Sequence, residues 1–209
     1  DIKILYVDIT QSFSTFEKYL PLVSEKRQEK ISRFHFDKDK TISLLAELLM
    51  RSEISEQLKI PTDKIEFGYS EHGKPYLMNY PNYHFSVSHS GNLIAFVSDN
   101  NPIGIDVEQI GDGNLDIAKR FFTVNEFEFI RSSKEPKVAF YQIWTAKEAY
   151  VKMLGLGLSK SFSSFDVLSD ELKRCFSHQR ISEYMLTVCS EFNKDKLTIL
   201  EIQAESLLK

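Results

Sequence analysis

Hydrophobic positions along this chain change their spacing several times, and each change marks a different element. Lys3 to Ile9 reads as a strand, and Phe16 to Phe34 carries helical periodicity, with Leu22, Val23, Ile31 and Phe34 set among the charges of SEKRQEKISRF. Asp37 to Leu58 predicts a second helix whose buried stripe is Leu44, Leu45, Leu48, Leu49 and Ile54, and Pro61 ends it. From Ile65 the texture shifts to short apolar segments between turn residues: IEFGYS, EHGKPYL, YHFSVSHSG, NLIAFVS and NPIGIDVE. These predict a run of strands, two of them joined by a tight hairpin at Ser90-Gly91-Asn92. Helical patterns return in NLDIAKRFF, TVNEFEFI and KVAFYQIWTAKEAYVKML, followed by expected strands at Phe165–Leu168, Tyr184–Cys189 and Leu197–Ile202. Helices followed by strands thus occur twice, which predicts an α+β fold of two similar lobes, residues 1–102 and 103–209, joined near Asn100 to Ile103.

Bulk properties narrow the function classes. The 209 residues are 42% hydrophobic and 27% charged, an ordinary globular balance with ample length for a core. A formal net charge of −4 argues against a protein that wraps nucleic acid, so any phosphate site must be built locally. Two cysteines, Cys175 and Cys189, stand without a zinc-like spacing, and DIKILYVDIT lacks a basic leader region. No apolar run approaches the roughly 20 residues of a membrane span. The expectation is a cytoplasmic protein with no membrane or nucleic-acid partner, and two lobes in one chain suit a monomer.

Three groups of residues carry candidate chemistry. In PIGIDVEQI, strand alternation puts Ile103, Ile105 and Val107 on one face and Gly104, Asp106 and Glu108 on the other. Two carboxylates about 6–7 Å apart on one face repel unless a cation or water lies between them. An isolated D-x-E is more often a solvated strand edge. In WTAKEAYVK, Glu148 and Lys152 share a helix face, a spacing that an exposed ion pair explains by itself, but Trp144, Tyr150 and Val151 make that face partly apolar. Gly155 and Gly157 follow, where the chain must turn or approach a ligand closely. Finally, HGKP and SVSHSG offer Lys74, serine hydroxyls, His89 and a glycine, the groups a phosphate site uses outside a P-loop. A lone histidine such as His89 is more often a structural hydrogen-bonding group.

Taken in order, GIDVE, RFF-T-x-x-E at Arg120 to Glu126, WTAKEAYVK and the GLGLS after it resemble the signature of the 4′-phosphopantetheinyl transferase superfamily. HGKP, SHSG and the chain length are similar to the Sfp-type branch. The resemblance implies a pseudo-twofold pair of lobes, with the nucleotide side of the coenzyme A site in the first and the metal and catalytic residues in the second. It implies Mg²⁺ held by Asp106, Glu108 and Glu148, as suits a cation that prefers six oxygens. The implied reaction is attack by a serine hydroxyl of an apo acyl or peptidyl carrier protein on the β-phosphorus of coenzyme A, releasing 3′,5′-ADP. Lys152 would meet the leaving phosphate, with Glu148 or a water on the metal taking the serine proton. The resemblance further puts Lys74 and Pro75 near the adenine, Ser88 and His89 at the 3′-phosphate, and Arg27, Lys30 and Lys147 within reach of the coenzyme. Relatives usually carry an arginine where this chain has Ile42, so that contact is expected to be absent or moved to Lys40 or Arg51. Phe121, Phe122, Phe127 and Phe129 are candidate anchors for the carrier protein, some of them core. Two other classes share these acids: a Mg²⁺-dependent phosphohydrolase using water, and a non-catalytic carrier-binding module.

Overall fold

The computed structural model describes residues 2–10, 16–192 and 196–209. A strand, β1 (Ile2–Asp8), leads past a 3₁₀ turn at Glu17–Leu22 to the helices α1 (Glu25–Ser32) and α2 (Asp37–Leu58). The single helix expected over Phe16 to Phe34 is thus two pieces. Pro21 lies inside the first, and Ser24 breaks the run by adopting extended geometry and capping α1, its hydroxyl accepting from the Arg27 N–H. A short hairpin, β2 (Phe67–Tyr69) and β3 (Pro75–Leu77), precedes β4 (His84–Ser90), β5 (Leu93–Asp99) and β6 (Ile103–Gln109). The turn between β4 and β5 is the expected two-residue one, with Gly91 at φ +55°.

In the second half come α3 (Leu115–Phe121), α4 (Val124–Ser132) and α5 (Pro136–Leu154), then β7 (Phe176–Ile181), β8 (Tyr184–Ser190) and β9 (Leu197–Glu201). Phe165–Leu168 is not the expected strand: it follows a 3₁₀ turn and is itself irregular. The strand that pairs beside β8 is instead β7, whose FSHQRI is too polar to show an apolar alternation.

Two sheets result. One has the order β4-β5-β1-β9, with β1 and β9 parallel; the other is β6-β8-β7, all antiparallel. Each lobe therefore repeats one topology, a strand, a long helix and a hairpin whose second strand lies in the middle: β1, α2, β4 and β5, then β6, α5, β7 and β8. The fold is α+β, as the sequence predicts. Strand alternation sorts the core into layers. Leu5, Val7, Phe85, Ile94 and Phe96 pack with Leu44, Leu45, Leu48, Leu49 and Ile54 of α2. Ile2, Ile4, Ala95 and Val97 point the other way and meet Ile103, Ile105, Val107, Leu186 and Val188 of the second sheet. The order of layers is helix, sheet, sheet, helix.

The chain crosses from the first sheet to the second at Asn100–Pro102, but it also returns. Pairing of β9 with β1 and burial of Ala204 and Leu207 in the α2 core make the first lobe a product of both halves of the chain. Among the described residues no helix is long and apolar enough to cross a membrane.

Candidate active site

The GIDVE and WTAKEAYVK motifs meet because Gly104 lets them. A Cβ on Gly104 would lie 2.6 Å from the Met153 backbone nitrogen and closer still to the Ala149 carbonyl oxygen, so α5 rests directly on β6. That contact brings the Lys152 ammonium to 2.8 Å from Asp106 Oδ1. The face of β6 opposite Ile103, Ile105 and Val107 is the one that carries the acids, as alternation requires. Asp106 is only 4% exposed rather than lining open solvent. Its Oδ1 also accepts the Ser88 hydroxyl at 3.1 Å, whereas Oδ2 is buried with no partner.

The neighbouring carboxyls are strained electrostatically. Burial, and then the charge of Asp106, push Glu108 up to about 7, although the Ser90 hydroxyl and the Trp144 indole both favour its charged form. The same two causes raise Glu148 above the ordinary glutamate range. Without a metal, the folded protein therefore holds the Glu108 proton more tightly than the unfolded chain, whose value is 4.5. The resulting stabilisation is complete below that unfolded value and is lost as pH rises through about 7. Metal-free protein should gain melting temperature between about pH 8 and about pH 5.5, and Glu108→Gln should lose part of that gain. Equal gains in both proteins would remove Glu108 as the cause.

The three acids also supply the right donors for a hard cation, and the orphaned Oδ2 of Asp106 is an oxygen left for one. As they stand, no group of three or more His, Cys, Asp or Glu side chains among the described residues is arranged to hold a metal ion. Lys152 fills the position beside Asp106 instead.

A serine ladder locks this geometry across the lobes. Ser86, Ser88 and Ser90 share one face of β4, and their hydroxyls accept the backbone N–H groups of Ile105, Val107 and Gln109 at 3.1, 3.2 and 3.0 Å. Side chains of one sheet thereby satisfy the edge of the other. Ser88 and Ser90 use their own hydroxyl protons on Asp106 and Glu108, so they fix the acids in rotation as well as in register.

Between the lobes lies a cleft of about 740 Å³, walled by His72–Pro75, by Ser86 and Val87, by Glu148 and Lys152, and by Phe162. Lys74 reaches across it, donating to the carbonyls of Ile103 and Lys152 at 3.2 and 2.7 Å. Burial, then repulsion by Lys152, lower its pKa to about 8. A second cluster of positive charge gathers at the end of β4. His89, whose outer edge reaches solvent, is held below the ordinary histidine range by packing and then by Lys152, Lys30 and Arg27. Burial and then Arg27 and Lys26 lower Lys30 in turn. Arg27 is held in place by buried Glu47 at 3.0 Å and by Ser43 at 3.3 Å. Crowded cations of this kind favour an anion among them.

The family model described as "4'-phosphopantetheinyl transferase, N-terminal" matches residues 10–101, and that described as "4'-phosphopantetheinyl transferase superfamily" matches residues 102–199. The 4'-phosphopantetheinyl transferase Sfp of Bacillus subtilis strain 168 is 32% identical over 219 residues, which cover 98% of each chain. The chain belongs to the 4′-phosphopantetheinyl transferase superfamily. Two further Bacillus subtilis relatives agree. A 4'-phosphopantetheinyl transferase is 33% identical over 201 residues, 89% of this chain and 90% of the relative. The transferase named ffp is 38% identical over 165 residues, 78% of this chain and 74% of the relative. These matches put this transferase in the Sfp-type branch.

Several expectations carried by the family resemblance need correction within this transferase. Lys147 does not face the cleft: it is 0% exposed and paired at 2.9 Å with equally buried Glu126, because it leaves α5 on the core side while Glu148 leaves on the cleft side. Ser88 is buried, and its hydroxyl donates to Asp106 and accepts from β6, so that side chain braces the acids. Arg51 is no substitute for an arginine at position 42, since it is buried against Glu47 and the carbonyls of Thr62 and Ile65. Ile42 packs in the α2 core, where an arginine would be a buried charge. Lys40 remains half-exposed over the Phe16 ring. Of the aromatic candidates, Phe121 and Phe129 are exposed and Phe127 half-buried, while Phe122 is core, stacked on Phe140. Sequence reasoning missed Gly104 as the close-approach residue and the serine ladder. The S-x-S-x-S repeat at 86–90 is the signal that three hydroxyls share a face.

Proposed function

We propose that the interlobe cleft binds coenzyme A with its nucleotide phosphate among Arg27, Lys30 and His89 and its pyrophosphate at Lys152 and the acids. The observation that carries this reading is the position of Lys152, which pairs with Asp106 at 2.8 Å and is also near enough to His89 to act on it together with Lys30 and Arg27. Transfer of the 4′-phosphopantetheine group to a carrier-protein serine is the activity of this enzyme. The serine oxygen forms a bond to the β-phosphorus, the bond to the bridging oxygen breaks, and 3′,5′-ADP leaves.

Glu148 takes the serine proton, a task that burial favours by raising its pKa. Lys152 neutralises charge on the leaving phosphate. Lys74 holds the last turn of α5 through the Lys152 carbonyl and, with Pro75, bounds the cleft on the nucleotide side. Asp106, Glu108 and Glu148 are the residues that would hold Mg²⁺, which when bound supplies charge neutralisation at the pyrophosphate. Both walls of the cleft come from one chain, which supports a monomer, and a reduced, cytoplasmic setting suits the two free cysteines.

Mass measurement of an apo-carrier protein after incubation with enzyme, coenzyme A and Mg²⁺ tests the reading. A gain of one phosphopantetheine group supports it. Cleaved coenzyme A with unmodified carrier would indicate a hydrolase, and intact reactants a binding module. Lys152→Ala should lower kcat by about a hundredfold with a smaller rise in KM for coenzyme A, because its charge acts where charge develops. An unchanged kcat with a raised KM would make Lys152 a ground-state anchor.

A further inference from the structure

Lys147 and Glu126 form an ion pair sealed from water, and its connections reach the cleft. The ammonium lies 2.9 Å from Glu126 Oε1 and donates to the carbonyls of Phe162 and Phe165 at 2.5 and 2.7 Å. It also sits 4.2 Å from the centre of the Phe165 ring. Glu126 Oε1 accepts the Val167 N–H at 2.8 Å, and Oε2 accepts the Thr123 N–H at 2.9 Å as half of a capping box. One buried pair thus ties the start of α4, the middle of α5 and the segment from Phe162 to Val167.

Apart from the ion pair, that segment is held by side-chain packing, Phe162 on Trp144 and Phe165 on Tyr150 with Val167 in the core, and by the Asn125 amide donating to Asp166 at 2.9 Å. It pairs with no strand, and it follows Gly155 and Gly157, both at positive φ, and the fully exposed Leu158. Yet Lys160, Ser161 and Phe162 form one wall of the cleft. A buried ion pair is a poor way to add stability, since an apolar pair of the same volume does as well. Its value lies in direction: an ammonium with three fixed acceptors holds two particular carbonyls in place.

Chemistry along the cleft says which part of the coenzyme this wall serves. Arg27 and Lys30 gather about His89 near the end of β4, with Lys152 of the cleft wall close by, whereas Phe162 packs on Trp144 and lines the cleft together with Phe121 and Ile117. An uncharged amide-and-alkyl arm suits the second environment and a nucleotide bisphosphate the first. We infer that the Lys147–Glu126 pair is a positioning device that holds the Lys160–Phe165 wall against the pantetheine arm, setting affinity for that arm and not for the nucleotide. This inference rests on the coenzyme A reading above.

The test compares wild type with Lys147→Met and with the double variant Glu126→Gln/Lys147→Met, which leaves no unpaired buried charge if the single variant fails to fold. Calorimetry with coenzyme A and with 3′,5′-ADP, together with amide exchange over residues 160–167, gives independent readouts. The double variant should bind coenzyme A about tenfold more weakly, hold 3′,5′-ADP as wild type does, and exchange faster over that segment. Equal losses for both ligands, an unchanged coenzyme A affinity or unchanged exchange would overturn the inference alone. A wild-type protein that binds neither ligand would overturn the coenzyme A reading, and the inference with it.

Discussion

Asp106→Asn should reduce transfer by at least about a hundredfold while leaving the protein folded. The amide keeps the shape of the side chain and can still accept from Ser88, but it removes the charge that Lys152 faces at 2.8 Å. It also removes the partnerless Oδ2, the oxygen best suited to a hard cation. Lys152 is 30% exposed, so the ammonium left behind turns to water and the structural cost is modest. Burial outweighs Lys152 and Ser88 in raising the Asp106 pKa, so the charged form is already disfavoured and the substitution relieves that burden. Wild-type-like melting with lost turnover is the expected pair of results. A Mg²⁺-induced rise in melting temperature, present in wild type and absent in the variant, would tie the loss to the metal. Wild-type turnover at low Mg²⁺ would show that the metal assignment is wrong.

A single methyl group on Gly104 should do comparable damage by a different route. Gly104→Ala places a Cβ against backbone atoms of Ala149 and Met153, which cannot swing aside as a side chain can. The helix must lift from the strand, at a cost of about 1–3 kcal/mol for overpacking. Glu148 and Lys152 move with it, and displacement of catalytic groups by about 1 Å can cost on the order of a hundredfold in rate. The variant is expected to melt at lower temperature and, at temperatures where it remains folded, to turn over far more slowly. Reduced stability with normal turnover would show that α5 can shift without disturbing the lysine and the acids.

How far the sequence reveals this arrangement depends on whether a residue's role is local. The long helices, the β4–β6 strands and the face of β6 that carries Asp106 and Glu108 follow from periodicity, because alternation and helical spacing are properties of the segment itself. The role of Lys147 is not local. Adjacent residues on a helix point about 100° apart, and periodicity does not say that Glu126, on another helix, waits inside to receive the lysine. Ser88 fails for a similar reason: the shared face of the three serines is readable, but not that the edge of a second sheet lies against it. Strand β7 is hidden because an edge strand of intermediate burial has no need of an apolar alternation. Where the sequence alone predicts a strand at Phe165–Leu168, the apolar residues turn inward around the ion pair instead.

The parallel pairing of β1 with β9 bears on the order in which the molecule can be assembled. On the edge away from β5, Ile2 to Tyr6 find their partners only at Leu197 to Glu201, and α2 receives Ala204 and Leu207 later still. During synthesis the first lobe must therefore wait, with one edge of β1 unpaired and part of the α2 face uncovered, while the second lobe has all three strands of its sheet once residue 190 is made. The half of the chain made first is the half finished last, and contacts of such long sequence separation make its completion slow.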